Sequence, residues 1–145
     1  MGEEKIRRLQ DHLALIRACA GWSAADLGNR LGVTRQMVSN LENGHNRMTR
    51  MQYLAIRQVL ADEIADAQDD DARLLKDVLC VLVDHPEEFT AEQRNQVLSD
   101  ANLIAPSIVS KKTTRKNASA KWVAVLAGVI VGTVIAAVHF SEKNR

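Results

Sequence analysis

Four side chains within six residues, Arg35, Gln36, Ser39 and Asn40, carry hydrogen-bonding groups suited to a flat surface rich in heteroatoms. Arginine presents a planar fork that bridges two acceptors such as guanine O6 and N7. Glutamine and asparagine present a paired donor and acceptor that match adenine N6 and N7. At this spacing all four fall on one edge of a helix, and Val38 and Leu41 fall on the other side. Thr34, Asn43, His45, Asn46 and Arg47 flank that helix with donors fit for phosphate oxygens. This is the chemistry of recognition, not turnover. His12, His45, His85 and His139 stand in unrelated contexts, and no glycine-rich phosphate loop, carboxylate pair or nucleophile motif accompanies them. Proline interrupts His85-Pro86-Glu87-Glu88, so it forms no helical ligand pair. No catalytic residue, metal or cofactor is expected.

Positioning those side chains requires two short helices locked at an angle, and residues Ser23 to Gly44 read as such a unit. Ser23 is an N-cap with Asp26 as its capping-box partner, and Trp22 and Leu27 occupy the positions of a hydrophobic staple. Gly32 ends the first helix near Leu31. Thr34 then caps the second, with Val33 stapled to Val38, and Gly44 supplies the left-handed stop after Glu42-Asn43. Leu27, Leu31, Val33, Val38 and Leu41 form the expected buried set. The pattern is a helix-turn-helix.

These residues resemble the lambda-repressor-like (Cro/repressor-type, XRE-family) helix-turn-helix DNA-binding domains. The resemblance rests on Leu27, the small residue Gly28, the turn Leu31-Gly32-Val33-Thr34, β-branched Val38, Leu41 and the closing Glu42-Asn43-Gly44, and it covers roughly Lys5 to Leu60. It implies an all-α, five-helix head that docks on double-stranded DNA, usually as a homodimer on two half-sites. The chain departs from the pattern at Ala24, where the family often has glutamine, which leaves one phosphate contact in question. Glycine rather than alanine at position 28 should cost about 1 kcal/mol of helix propensity.

A length of 145 residues leaves room for one ordinary domain with appendages, and the net charge is only +1. The distribution says more than the total. Residues 1–60 carry nine basic against five acidic side chains, residues 61–100 carry three against twelve, and residues 101–121 carry five basic and no acidic ones. A basic head, an acidic middle and a basic neck imply separate tasks. Cys19 and Cys80 stand far apart in apolar contexts and read as reduced, buried thiols. The charged start MGEEKIRRLQ does not read as a signal peptide.

Along the chain, Ile6, Leu9, Leu13, Ile16 and Ala20 predict one helix from about Glu4 to Ala20. Thr49 caps a helix expected to turn Met51, Leu54, Ala55 and Val59 to the core, with Tyr53, Ile56 and Leu60 alongside. The organisation expected is a head over 1–65, an acidic helical hairpin over 66–105, a basic flexible linker over 106–121, a transmembrane helix over 122–140 and a short outer tail over 141–145. In the hairpin, one helix carries Leu74, Leu75, Val78, Leu79 and Leu82, and the other opens on a Thr90/Gln93 capping box and ends before Pro106. It should pack on the head or on a second copy, and it is a candidate surface for a protein partner. As a random coil the linker would span roughly 20–25 Å.

Trp122 to Phe140 contains no Asp, Glu, Lys or Arg. At helical rise these residues extend about 28 Å, the thickness of a bilayer's hydrocarbon layer. The basic neck before the span orients the head to the cytoplasm, which predicts a single-pass, tail-anchored protein of the cytoplasmic membrane. Within the span Ala124, Gly128, Gly132 and Ala136 recur every four residues, a stripe on which two such helices could pack closely. The reading that follows is a sequence-specific DNA-binding transcriptional regulator, a repressor on family grounds, held at the membrane. The alternative is a membrane-bound helix-turn-helix adaptor for a protein or cytoskeletal partner.

Overall fold

The computed structural model describes residues 2–67 and 71–113. Within them run seven α-helices: α1 (Glu3–Asp11), α2 (Leu13–Cys19), α3 (Ala24–Leu31), α4 (Arg35–Glu42), α5 (Arg50–Asp66), α6 (Asp71–Leu79) and α7 (Ala91–Thr113). A π turn (Cys80–Asp84) and a short 3-10 turn (Pro86–Glu88) join α6 to α7. The described residues contain no strand. The expected span 122–140, with Ala124, Gly128, Gly132 and Ala136, lies outside the described residues, and so does 114–121. None of the described helices is long and apolar enough to cross a membrane.

Local signals place most helix boundaries. Ser23 and Asp26, Thr49 and Gln52, and Thr90 and Gln93 each form a reciprocal capping box, and the Thr34 hydroxyl accepts from the Met37 N–H. Each of these caps satisfies amide donors that a helix start otherwise leaves open. Helices α2, α3 and α4 stop by one device. The residue after a glycine of positive φ donates back to the carbonyl five residues earlier: Trp22 to Arg17, Val33 to Gly28 and His45 to Asn40.

Three expectations are corrected. The single helix over Glu4–Ala20 is two, broken at His12 (φ −112°, ψ 13°). The stripe Leu9, Leu13, Ile16 and Ala20 stays buried through the break, but the two halves have different neighbours. α1 packs on the π turn, where Arg8 Nε donates to the Val83 carbonyl at 2.9 Å, and α2 packs on α6 and α7. The bend lets each half seat its own face.

The second correction concerns α5. Tyr53, Ile56 and Leu60 are buried, whereas Met51 is 81% and Leu54 51% exposed, and Ala55 also faces outward. Apolar and polar residues are mixed on every side of this helix, so its periodicity did not settle which side meets the core. Met48, just ahead of the Thr49 cap, and Tyr53, one turn into the helix, are both buried at the two positions of a hydrophobic staple, which fits the 53-56-60 side facing inward.

The third correction is at Pro106. The helix expected to end before it runs on to Thr113, so the first eight residues of the expected linker are helical. An internal proline removes one helical hydrogen bond at a cost of about 3 kcal/mol. Ala105 and Ile108 are both buried on a helix that packs along α2, and burial of that kind offsets the penalty.

The α6 and α7 helices pack against the head and not on each other alone. A single buried cluster runs from Leu9 and Leu13 through Leu27, Val38 and Ile56 to Leu74, Val78, Ala101 and Ile108. Polar ties cross the same seam. Arg57 pairs with Asp84 at 3.0 Å, and Lys112 at the end of α7 reaches both Glu63 and the Ala20 carbonyl. Cys19 is buried and its thiol is pushed up to about 12 by that burial, while Cys80 is half-buried; neither is joined in a disulfide.

Candidate nucleic-acid interface

Helices α3 and α4 meet closely because the first carries no side chain at the contact. A Cβ on Gly28 would lie 2.7 Å from the Val33 carbonyl oxygen and 3.3 Å from the Thr34 carbonyl carbon. Glycine therefore lets the turn fold directly onto α3, where Val33 N–H donates to the Gly28 carbonyl at 2.9 Å. The propensity penalty expected at this position is the cost of the close approach. Behind the pair, Leu27, Val38 and Leu41 are buried, and Leu31 and Val33 are half-buried against them.

This packing presents the expected edge. Arg35 and Gln36 are exposed at the start of α4, with Ser39 and Asn40 half-exposed one turn on. Gln36 Nε2 donates to Asn40 Oδ1 at 3.0 Å, which leaves the Gln36 carbonyl oxygen and the Asn40 amide nitrogen as the outward groups of a joined pair. Asn43 Nδ2 reaches Ser39 Oγ at 3.4 Å. Thr34 spends its hydroxyl on the cap but keeps lone-pair and donor capacity on an exposed oxygen.

The loop after α4 is folded back on the helix. The Asn40 carbonyl accepts from His45 N–H at 2.9 Å and Asn46 N–H at 3.4 Å, and Gly44 at φ +72° makes the reversal possible. Asn43, His45, Asn46 and Arg47 all stay exposed beside it. Arg47 is not a solitary cation. Its Nη2 lies 2.7 Å from Glu3 Oε2, both side chains largely in solvent. Such a pair contributes on the order of 1 kcal/mol or less, so a phosphate could displace the carboxylate.

Two positioning groups escaped the sequence reading. Gln10, on α1, donates to the Leu41 carbonyl at 3.0 Å and the Asn46 carbonyl at 2.6 Å, and accepts from the Met48 N–H at 2.9 Å. One amide thus holds both ends of the loop. Arg17, on α2, makes a two-pronged pair with Glu42, with Nη2 to Oε2 at 3.2 Å, and donates to the Trp22 carbonyl at 2.8 Å. It ties the end of α4 to the start of the helix-turn-helix. Apart from the local Arg17–Trp22 bond, these contacts have no local signature, because the partners are 25 to 38 residues apart.

Residues 13–55 match the helix-turn-helix family model. The match opens at the start of α2 and closes in α5, a narrower window than the Lys5–Leu60 of the resemblance, and it contains the whole α4 edge with its flanking loop. Neither the curated proteins nor the solved structures gave a match. The helix-turn-helix match supports a DNA-binding transcription regulator.

Proposed function

We propose that the chain is a sequence-specific transcription regulator, a repressor, whose α4 enters the major groove of double-stranded DNA. The observation that carries this reading is the edge itself. Arg35, Gln36, Ser39 and Asn40 face outward in a row on a short helix whose other side, Val38 and Leu41, is buried. In that role the four side chains read base edges, and Thr34, Asn43, His45, Asn46 and Arg47 bind phosphates. Two copies would read two half-sites.

Membrane anchorage through 122–140 is part of the same proposal. Only residues 114–121 stand between the end of α7 and the start of that span. Eight residues reach at most about 28 Å when fully extended. An anchored head would therefore meet DNA only close to the lipid surface, held there with help from the basic neck. Association of the spans along Ala124, Gly128, Gly132 and Ala136 would favour the dimer.

The test is capture of genomic DNA fragments by the full-length chain, solubilised in mild detergent, with Arg35→Ala and Asn40→Ala as comparisons. Enrichment of specific fragments, lost in both variants, is the expected result. Equal enrichment by all three rejects the base-reading assignment. Absence of any salt-sensitive duplex binding rejects the regulator and leaves the adaptor reading. Retention of the chain in a carbonate-washed membrane pellet tests the anchor separately.

A further inference from the structure

The geometry points to the outer face of α5 as a self-complementary docking surface for the antiparallel α5 of a second copy of this chain. Three large apolar side chains of the described residues are strongly exposed, Met51, Leu54 and Leu103. Leu103 stands alone on α7, as single surface leucines commonly do. Met51 and Leu54 instead begin a stripe, because Ala55, Gln58, Ala61 and Ala65 are also exposed at helical spacing along the rest of α5.

The stripe is asymmetric in a way that suits its own reversed copy. Its large residues, Met51 and Leu54, lie in the first half of the helix, and two of its three alanines, Ala61 and Ala65, lie in the second. With a two-fold axis passing near Gln58, Met51 lies over the small Ala65 of the second copy, and Ala55 meets its Ala61, small residue on small residue. The alanines permit close approach of the two backbones, and the two Gln58 amides meet at the axis.

Charge argues for the same partner independently. α5 begins with Arg50, has no acidic residue in its first turn and no basic residue in its last, and carries exposed Asp62 and Asp66 near its end. Each of these charges opposes the dipole of its own helix. An antiparallel copy reverses that relation. Arg50 comes to the carboxylates at the far end of the second α5, and both mismatches are relieved together. An unrelated apolar partner would relieve neither.

This inference extends the proposed dimer by naming its contact, and its readout needs no DNA, so either can fail alone. The experiment is oxidative cross-linking of the full-length chain bearing Gln58→Cys, the one position on the stripe that would face itself. Lys76→Cys on α6, equally exposed, is the comparison. A disulfide-linked dimer is expected for Gln58→Cys and not for Lys76→Cys. Adding Met51→Asp and Leu54→Asp should lower the cross-linked fraction by about tenfold or more, with the helical circular-dichroism signal and melting unchanged. Arg50→Asp should weaken it and Arg50→Asp with Asp66→Arg should restore it. No cross-link at position 58, equal cross-linking at 58 and 76, or indifference to the two aspartates overturns the proposal. Equal cross-linking would place association elsewhere, as in the span.

Discussion

The α3–α4 unit and the α6–α7 pair are both helical hairpins, yet they are specified at different ranges. In the first, each boundary is set by a residue within five positions: Ser23 by Asp26, Thr34 by Met37, Gly32 and Gly44 by the carbonyls they turn back to. In the second, α7 packs along α2, some 90 residues earlier, and Lys112 near its end donates to the carbonyl of Ala20, the residue that follows α2. The helix-turn-helix boundaries are set locally, while the body that supports the unit is held together by long-range packing. A bilayer tether beginning soon after α7 would thus pull on the seam that holds the head's own first helices.

The strongest way to break this contrast is at the seam. Ile108→Ala, at a site 1% exposed, should cost about 2–4 kcal/mol and lower the stability of the whole described unit in one transition. Urea unfolding followed both by circular dichroism and by Trp22 fluorescence checks it. Two separate transitions would mean that the head and the C-terminal pair are independent after all.

The next effect sharpens the local side. Helix propensity says that Gly28→Ala should stabilise by about 1 kcal/mol. The 2.7 Å approach to the Val33 carbonyl says that the turn must shift, which typically costs about 1–3 kcal/mol. A net loss in melting temperature, with weakened DNA binding, is expected; a gain would show that the turn yields freely.

Arg35→Ala separates edge from scaffold. Stability should stay within about 0.5 kcal/mol, because the side chain is exposed. Discrimination at one base pair should fall by about 1–3 kcal/mol in competition binding. Gln10→Ala should do the reverse of a purely chemical lesion. It leaves the Met48 N–H without its acceptor and takes one donor from each of the Leu41 and Asn46 carbonyls, costing about 1–2 kcal/mol, and it should weaken binding uniformly across DNA sequences.

The smallest effect lies in the C-terminal pair. Asp77 is half-buried, with one carboxylate oxygen lacking a hydrogen-bond partner, and burial pushes its carboxyl up to about 6 against Arg73 and Lys76, which pull it down. The folded state therefore holds this proton more tightly than the unfolded chain does. That contribution is fully present below about pH 4 and lost as pH rises through 6. With screening at a partly exposed group, Asp77→Asn should flatten the stability profile between pH 4 and 6 by about 1 kcal/mol. An unchanged profile would show that Asp77 does not titrate in that window.

The sequence alone determined what depends on near neighbours. Caps at Ser23, Thr34, Thr49 and Thr90, glycine stops at Gly32 and Gly44, and an outward row of Arg35, Gln36, Ser39 and Asn40 all follow from spacing within one or two turns. Tertiary structure decided the choices that local signals left balanced. It turned the 53-56-60 side of an α5 with apolar residues on more than one side inward, carried α7 past Pro106, bent the first helix at His12, and gave Gln10 and Arg17 their distant partners. The physical reason is the same in each case. A helix with two usable faces, or a proline with a modest penalty, is settled by the apolar area it can bury, and that area belongs to residues far away in the chain.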